Sequence, residues 1–377
     1  MKSVIDYRRE LHRIAELSFE EIKTSEYLRL QLSQQGLEFQ TCAQTGLIVT
    51  LGKNLPEKAV MFRADMDGLP IQEQNDFDYA SVHAGRMHAC GHDAHMAILL
   101  QVLFKTQKQE SQLKRPVKFI FQPAEERGGG ACVMLENGVL QHPEVGEAFG
   151  LHIANRFKNN FVALREGISS SYCDEFSLLI QGQGGHAARP HQCIEPLMIG
   201  SRLALDCQQI IARNVSAMDS AVLTFTKMHS GSNHNVIADT CEMGGTLRTR
   251  DLAVRSKIRE ALDKKFKALE VETGAKIEIS FEEGYPAIQN SSKSVQVVRE
   301  VVRESLGEEF LVEGDMGLGG EDFAYFLEQI PGCYFLLGCD GDKMDFAPHH
   351  NARFDFDESV LQTGVDLFLK LIEKRAM

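Results

Sequence analysis

Residues 87–104 read Met-His-Ala-Cys-Gly-His-Asp-Ala-His-Met-Ala-Ile-Leu-Leu-Gln-Val-Leu-Phe. The second half of this stretch is apolar around most of its circumference, which predicts a helix after Asp93 with a mostly apolar surface. The first half places a thiol, three imidazoles and a carboxylate directly before that helix. The stretch therefore predicts a reactive loop at the start of a largely apolar helix.

Short apolar runs surround this stretch and read as strands. They lie at 46–51, 59–62, 117–121 and 148–153. Strands that alternate with helices favour an α/β fold whose mainly parallel sheet is covered on both faces. Ser18 and Glu21 are expected to form a capping box for a helix that runs to Gln35, with Gly36 as its stop. After Gly284 the alternation resumes, with helices at 292–306, 322–329 and from 358, and a strand at 333–337.

The middle of the chain follows a different pattern. Its predicted elements are a strand at 175–181, a helix at 190–213, strands at 221–227 and 241–248, a helix at 252–270 and a strand at 276–281. The order β-α-β-β-α-β is that of a ferredoxin-like unit, which can close on itself. We therefore predict that residues 169–283 form a satellite domain, inserted between the two parts, 1–168 and 284–377, of a larger host domain.

Composition restricts the class of partner. The chain has 377 residues and a formal net charge of -13, which argues against a nucleic acid or an anionic membrane surface. No run approaches the roughly 18 apolar residues of a membrane span, and the N-terminus lacks the apolar region of a secretory signal. Nine scattered cysteines without a Cys-x-x-Cys pair favour a reduced, cytoplasmic protein.

Cys90 and His92 are the first candidate metal ligands. A thiolate and a neutral imidazole both bind zinc and similar divalent ions. Gly91 between them leaves room for both side chains to reach one site. The alternative is a surface loop whose histidines have no common function.

Glu125 and Glu126 lie between an apolar run and three glycines. Most such pairs are a solvated face, because two buried carboxylates repel each other when no cation is near. Beside a metal, one glutamate can bind the ion while the other takes a proton from water. The pair is therefore informative only together with other ligands.

His152 and the pair His349-His350 are weaker candidates, and each can equally be structural. His152 ends an apolar strand, where α/β sheets tend to place their sites. No short-spaced zinc motif such as His-Glu-x-x-His occurs in the chain. We therefore expect the fold to assemble the site from distant segments.

A series of ordered motifs runs along nearly the whole chain. They are RRELH (8–12), FRADMD (62–67), HACGHD (88–93), QPAEE (122–126), GGHAARPH (184–191), NVIAD (235–239), GEDF (320–323) and HNARF (350–354). The chain thereby resembles the aminoacylase-type metallopeptidase superfamily. Arg63 stands where the peptidase relatives carry the histidine of a metal-binding His-x-Asp, while Cys90 and His92 enter the site. This exchange resembles the amidohydrolase branch, which includes hippurate hydrolase, N-acetyldiaminopimelate deacetylase and indoleacetyl-amino-acid hydrolase.

The resemblance implies an α/β fold with two domains. The catalytic domain has a mainly parallel sheet and binds the metal, and the inserted ferredoxin-like satellite domain serves for dimerisation and as a lid. It also implies two divalent metal ions per subunit, with zinc, manganese, cobalt and nickel as candidates. The implied ligands are Cys90, His92, Glu126, His152 and His350, with the Cys90 sulfur bridging the ions. His350 is preferred to His349 because its spacing to Phe354 matches the family pattern.

The resemblance further assigns supporting and catalytic roles. Glu125 would be the general base. Asp65 and Asp93 would orient the ligands, although both could equally be ordinary strand-end or helix-capping residues. His186 of the partner subunit would stabilise the oxyanion, and its alternative is an exposed loop histidine.

Asn235 and Arg248 would hold the carboxylate of the substrate, Arg248 by a bidentate contact. Alternatively, Arg248 only pairs with a neighbouring acid. The predicted function is a metal-dependent amidohydrolase that hydrolyses an N-acyl (acetyl, benzoyl or similar) amino acid to a carboxylate and a free amino acid. It is expected to work as a homodimer or a dimer of dimers. The alternatives are a dipeptidase of the same superfamily, a metal-free binding protein, and an enzyme that uses Cys90 as nucleophile with His92.

Overall fold

The computed structural model describes residues 2–341 and 346–377. Its helices are α1 (Val4–His12), α2 (Ile22–Gln34), α3 (His92–Gln107), α4 (Gly130–Glu136), α5 (Pro196–Asn214), α6 (Leu252–Thr273), α7 (Ser292–Ser305), α8 (Ala324–Gln329) and α9 (Val360–Ala376). Its strands are β1 (Gln40–Cys42), β2 (Gly46–Leu51), β3 (Ala59–Asp65), β4 (Val117–Gln122), β5 (Val145–Ala154), β6 (Val162–Leu164), β7 (Gly167–Ile168), β8 (Tyr172–Gln181), β9 (Gly185–His186), β10 (Ala221–His229), β11 (Val236–Ile237), β12 (Thr240–Thr249), β13 (Lys276–Glu283), β14 (Gln289–Asn290), β15 (Leu311–Glu313) and β16 (Gly332–Gly338).

The chain divides into two compact units. The first comprises Met1–Ser169, Ile288–Met316 and Glu321–Met377, and the second comprises Ser170–Ala287 and Gly317–Gly320. Across the described residues, no helix is both long enough and apolar enough to cross a membrane. The catalytic and lid roles expected for the two parts of the chain remain predictions.

The first unit is built on an eight-stranded mixed sheet with the order β1-β2-β4-β3-β5-β16-β6-β15. Its centre is parallel, because β3 pairs in parallel with β4 and β5, and β5 pairs in parallel with β16. Along β3, Val60 and Phe62 enter one hydrophobic core while Ala59 and Met61 enter another. Since successive strand residues point to opposite faces, both faces of the sheet are covered, as predicted.

Helix α3 begins at His92 rather than after Asp93. Nearly every residue of this helix is buried, which explains its lack of a polar face. Gly91 caps it with φ 91°, and a Cβ atom at this position would lie 2.5 Å from Cδ1 of Ile153. Both the left-handed conformation and the close approach favour glycine here.

The second unit has the element order β8-α5-β10-β12-α6-β13, with the small strands β9 and β11 paired beside it. Its four-stranded antiparallel sheet has the order β10-β12-β8-β13. Ile258, Leu262, Phe266 and Leu269 of α6 are buried in its core. The predicted βαββαβ arrangement of a ferredoxin-like unit is therefore confirmed.

Two local predictions are wrong. Ser18 and Glu21 form no capping box: the Ser18 hydroxyl donates to Asp67, and Glu21 accepts the amide N–H groups of Phe19 and Ala124. Long-range partners thus replace the local cap. The helix predicted from Pro190 begins instead at Pro196, because residues 190–192 form a separate 3₁₀ turn and proline is favoured in the first helical turn.

Candidate metal centre

The parallel strands at the centre of the first unit bring their carboxyl ends to one edge of the sheet. Asp65, the last residue of β3, lies opposite Gln122, the last residue of β4, which Glu125 and Glu126 closely follow. His152 lies near the carboxyl end of β5 and pairs with Leu336 of β16. The topology therefore places ligand candidates from separate segments at the same edge.

Cys90, His92 and His152 form one group of possible ligands whose donor atoms all lie within 4.8 Å of one another. The Cys90 Sγ lies 3.4 Å from the His152 Nε2. Two ligands of one tetrahedral zinc ion lie about 3.3–3.8 Å apart when their bonds are 2.0–2.3 Å long. The spacing of the sulfur and the imidazole therefore fits a shared ion.

A second group shares the same sulfur. Cys90, Glu126 and His350 also bring their donor atoms within 4.8 Å of one another. The His350 Nε2 lies 3.4 Å from the Glu126 Oε1. His350 has φ 65°, an uncommon conformation for a residue with a side chain, and its amide N–H donates to the carbonyl of Ala89 at 2.8 Å. His349, by contrast, packs its ring against Phe354 and His152.

Two buried atoms of the predicted ligands, the His92 Nε2 and the Glu126 Oε1, have no hydrogen-bond partner among the described residues. Buried polar atoms are rarely left unpaired, because each costs about 1–3 kcal/mol. The His92 Nε2 lies 3.9 Å from the Glu126 Oε1. Cations coordinated between these residues would satisfy both atoms, so the residues present fit a site for divalent ions.

Hydrogen bonds to the far side of the rings select the ligand atom of two histidines. The His92 Nδ1 lies 2.9 Å from the carbonyl oxygen of Asp67, and the His152 Nδ1 lies 2.6 Å from the carbonyl oxygen of Ile153. A carbonyl only accepts, so each Nδ1 carries the proton when the ring is neutral. The lone pair of each Nε2 is thereby left for a metal.

The acidic residues of the site shift the pKa values of two predicted ligands. Burial, with the negative charges of Glu126 and Glu125, raises the pKa of the Cys90 thiol well above its usual value. Burial by itself lowers the pKa of His92. The carboxylates of Asp65 and Asp67 outweigh this effect and raise the pKa to about 10. A metal ion must therefore displace protons from both groups, and its binding is expected to depend on pH.

Glu125 lies beside the two ligand groups. Its Oε2 is 3.9 Å from the His92 Nε2, and its side chain is buried. Burial and the neighbouring carboxylates of Glu321 and Glu126 raise the pKa of Glu125 well above its usual value. A carboxylate in this environment is suited to taking up and retaining a proton.

Asp65 lies among the ligands, but both of its oxygens have other partners. His95 Nδ1 contacts Asp65 Oδ1 at 2.6 Å, and Arg63 donates to Asp65 Oδ2 at 2.5 Å. The His95 Nε2 in turn accepts the amide N–H of Ile153 at 3.0 Å. Asp65, His92 and His95 lie close enough to suggest a further metal group, yet His95 has no free nitrogen to offer. It instead connects Asp65 to the backbone beside His152.

Asp93 pairs with side chains outside the predicted ligand set. Its Oδ2 accepts from Arg8 Nε and contacts His12 Nδ1, each at 2.8 Å. All three side chains are buried. If Asp93 supports the ligands as predicted, it does so by fixing the start of α3 and not by a hydrogen bond to a ligand.

Two residues that contact the site were missing from the predicted set. Asp67 accepts from the ring of His92 and from the amides of both glutamates, and His95 contacts Asp65. Both belong to stretches in which the sequence places several acidic, histidine or cysteine residues close together, 62–67 and 87–95. Asp67 follows Asp65 by two residues, just beyond the end of β3, and this is the signal that could have identified it.

Arg63 neutralises part of the negative charge of a buried group of carboxylates. Its guanidinium donates to Asp65, to Glu321 at 3.0 Å and to Asp322 at 2.8 Å. The Tyr334 hydroxyl also donates to Glu321. Glu125, Glu321 and Asp322 lie close enough together to hold a metal ion, but Arg63 already supplies a cation to two of them.

Replacement of Arg63 by methionine is expected to lower the free energy of unfolding by about 3–5 kcal/mol, because it leaves buried carboxylates without their cation. Urea denaturation of the metal-free protein measures this loss. The matched control is Arg165→Met: Arg165 is exposed and pairs with Asp315, so its loss should cost at most about 1 kcal/mol. Equal losses in the two variants would contradict the compensating role of Arg63.

The three residues predicted to act on the substrate lie in the second unit. His186 pairs with Val236 in the β9–β11 ladder, and the carbonyl of Asn235 accepts the amide N–H of Ala187 at 3.1 Å. The ladder thus brings His186 and Asn235 together. Arg248 lies apart from them in β12, between Val222 and Cys173 of the adjacent strands.

The sequence of this chain matches the model of peptidase family M20/M25/M40 over residues 61–374. The chain belongs to that family. It is 38% identical to the N-acetyldiaminopimelate deacetylase of Halalkalibacterium halodurans, over 98% of this chain and 99% of the relative. It is 36% identical to thermostable carboxypeptidase 2 of Saccharolobus solfataricus, over 96% of this chain and 92% of the relative.

A solved structure of the family resembles the whole chain. The Bacillus subtilis YXEP protein, a dinuclear metal-binding peptidase from the M20 family, superposes with a TM-score of 0.85 and 30% identity, over 98% of this chain and 96% of that one. The predicted family, its fold class and the prediction of an amidohydrolase are therefore confirmed. The identity of the metal, the residue roles and the substrate remain predictions.

Proposed function

We propose that this M20 protein is a dinuclear, metal-dependent deacylase that releases a carboxylate and a free amino acid from an N-acyl amino acid. The observation that carries the proposal is the pair of ligand groups that share the Cys90 sulfur. Their members are Cys90, His92, Glu126, His152 and His350. The deacetylase named among the relatives supports an N-acyl amino acid as the substrate.

Divalent ions held by these residues would supply Lewis acidity that activates water and polarises the scissile carbonyl. The rest of the chemistry is assigned to side chains. Glu125 is buried beside the ligand atoms, where it accepts the proton of the attacking water and passes it to the leaving nitrogen. Asp65 keeps His95 in place behind His152.

Groups in the second unit are proposed to recognise the substrate. His186 would donate to the oxyanion, a contact worth about 3 kcal/mol in comparable sites. The His186 Nδ1 accepts the amide N–H of Ala188 at 3.1 Å, which leaves the proton of a neutral ring on Nε2. Arg248 and Asn235 would bind the carboxylate of the amino acid. In this proposal the second unit serves as a lid and a dimerisation domain.

Three finer points belong to the same proposal. The metal is zinc, manganese, cobalt or nickel, since thiolate, imidazole and carboxylate ligands suit all four. The protein works as a homodimer or a dimer of dimers, so that His186 of the partner subunit can complete each site. It resides in the cytoplasm, where its nine free cysteines would stay reduced.

A peptidase is the second candidate, because one relative is a carboxypeptidase at 36% identity. A nucleophilic Cys90 is less compatible with the site, since a thiol nucleophile needs a lowered pKa whereas burial and nearby carboxylates raise that of Cys90. A metal-free binding protein does not require two groups of possible metal ligands that share one sulfur, so this arrangement disfavours that alternative.

A substrate panel tests the function. The protein is stripped with a chelator, reloaded separately with zinc, manganese, cobalt or nickel, and assayed on N-acetyl and N-benzoyl amino acids, acetyl-diaminopimelate and dipeptides. We expect no turnover of N-acyl amino acids without metal and recovery on reloading. Faster cleavage of dipeptides than of every N-acyl amino acid would favour the peptidase. Full activity after chelation would instead favour a thiol nucleophile.

A further inference from the structure

We propose that His12 is a positioning residue of the metal centre, an imidazolium that ties the start of α3 to the segment that carries His350. The inference rests on the metal site of the proposed function and concerns the RRELH motif (8–12), to which that function assigns no role. Helix α1 turns Arg8 and His12 into the protein, where both side chains are fully buried. Positively charged side chains are rarely buried completely unless acidic groups face them.

Each nitrogen of the His12 ring faces a carboxylate. The Nδ1 lies 2.8 Å from Asp93 Oδ2, and the Nε2 lies 3.1 Å from Glu73 Oε1. An ionised carboxylate only accepts hydrogen bonds, so a ring that bonds to two of them carries a proton on each nitrogen and a positive charge. Both hydrogen bonds are then charge-assisted, which makes them stronger and more directional than those of a neutral ring.

The surroundings of the ring favour its charged form. Burial by itself lowers the pKa of His12, but the carboxylates of Asp93 and Glu73 outweigh this effect and raise the pKa above its usual value. The stability that these contacts contribute is therefore present below the pKa of the unfolded chain and is lost as the pH rises through the pKa of the folded protein. The other titratable or charged groups that face the ring are Arg8 of α1, Tyr79 and His88 of the loop between β3 and α3, and Asp355 before α9.

The contact with Asp93 fixes the segment that carries two of the proposed ligands. Asp93 lies in the first turn of α3, directly after His92 and three residues after Cys90. Its Oδ2 accepts from Arg8 Nε as well as from His12, each at 2.8 Å. Side chains one turn apart on α1 thus hold one carboxylate. A shift of this carboxylate would move the start of α3 and both ligands with it.

The contact with Glu73 reaches the segment that carries His350. The two residues after Glu73 donate to the backbone carbonyls of Ala352 and Phe354, at 2.8 and 3.0 Å. These two carbonyls lie within four residues of His350 in the sequence. His12 therefore connects the start of α3 with the His350 segment, and the two ligand groups that share the Cys90 sulfur draw on both segments.

Two replacements of His12 separate its two contacts. The side-chain NH₂ group of asparagine lies near the place of Nδ1, and that of glutamine lies near the place of Nε2, so each replacement keeps one donor. His12→Asn can still donate to Asp93, whereas His12→Gln can still donate to Glu73. Both variants lose the positive charge. Loss of the Asp93 contact should have the larger effect, because Asp93 is adjacent to the ligand His92.

The test is a titration of metal-free protein with Co²⁺, followed by the absorption of the cobalt–thiolate bond to Cys90. We expect His12→Gln to bind Co²⁺ about 10-fold more weakly than wild type, at the lower end of the range for groups that support metal ligands. His12→Asn should retain more of the affinity. Unchanged affinity in a folded His12→Gln protein overturns the inference and leaves the metal site intact. Wild type without a cobalt band would overturn the proposed metal site, and this inference with it.

The matched control is His83→Gln. His83 is a partly buried histidine of the same loop as Glu73, but its ring contacts the carbonyl of Ala15 and the ammonium group of Lys23 instead of carboxylates. Its replacement should change the Co²⁺ affinity less than about threefold. A loss in His83→Gln as large as that in His12→Gln would show a general loosening of the loop, which would contradict a specific role of His12.

Nuclear magnetic resonance of the wild type provides a measurement that does not depend on any variant. In metal-free protein with ¹⁵N-labelled histidine, both ring nitrogens of His12 are expected to carry protons at neutral pH, because each faces a carboxylate. The signals are assigned through bonds to the backbone of His12. A neutral His12 ring under these conditions would overturn the inference even if His12→Gln fails to fold.

Discussion

Replacement of Glu125 by glutamine is expected to lower kcat by about 10²–10⁴-fold, the usual contribution of a general base. Glutamine has the same shape but cannot take a proton from water. In the proposed mechanism Glu125 is the base and not one of the five ligands, so the metal content of the variant should equal that of wild type. Steady-state kinetics on an N-acyl amino acid, together with elemental analysis, measures both quantities.

The control for this prediction is Glu136→Gln. Glu136 is an exposed residue at the end of α4, so its replacement should leave kcat unchanged. A Glu125→Gln protein that keeps its metal and more than one tenth of the wild-type kcat would remove Glu125 from the proposed mechanism. A variant that has lost its metal would instead show that Glu125 is a ligand.

Replacement of Cys90 by serine is expected to remove the bound metal. Activity should then fall at least about 10³-fold, because metal activation of water is lost. The reason is geometric, because the Cys90 sulfur belongs to both ligand groups and serine offers only a neutral hydroxyl in its place. Elemental analysis and kinetics at saturating metal measure the two effects. The effect should exceed that of replacing His152 or His350, each of which belongs to one of these two groups.

Cys132→Ser is the matched control, since this thiol is partly exposed on α4 and lies outside the predicted ligand groups. It should retain its metal and its activity. A Cys90→Ser protein that is inactive but carries the wild-type amount of metal would favour a nucleophilic thiol. An active Cys90→Ser protein would contradict any essential role of the sulfur.

The positions of two proposed ligands could be anticipated because strand ends and helix starts are visible in local patterns. Cys90 precedes an apolar helix, and His152 ends an apolar strand. In a parallel sheet such positions converge at one edge, and the structure brings both residues together within 3.4 Å. Choosing among neighbouring aspartates was harder. Asp93 is adjacent to His92 in sequence, yet its side chain points to Arg8.

Asp67, by contrast, is distant from His92 in sequence but contacts its ring. Sequence proximity misleads here because successive side chains of a helix project in different directions. The capping box predicted at Ser18 and Glu21 failed for a related reason. Both side chains find partners far along the chain, Asp67 and Ala124 respectively, and these contacts take the place of the local cap.

In the 377 residues, periodicity indicated the two kinds of sheet, the residue types indicated possible metal ligands, and the ordered motifs carried the resemblance to the family. These features depend on near neighbours and repeat lengths, which a linear chain displays directly. The folded chain alone showed which atom of each ligand faces the centre, that Asp65 and His95 already have partners, and that Asp67 joins His92 to the two glutamates. Such contacts join segments far apart in sequence, and their geometry arises only when packing has set the direction of every side chain.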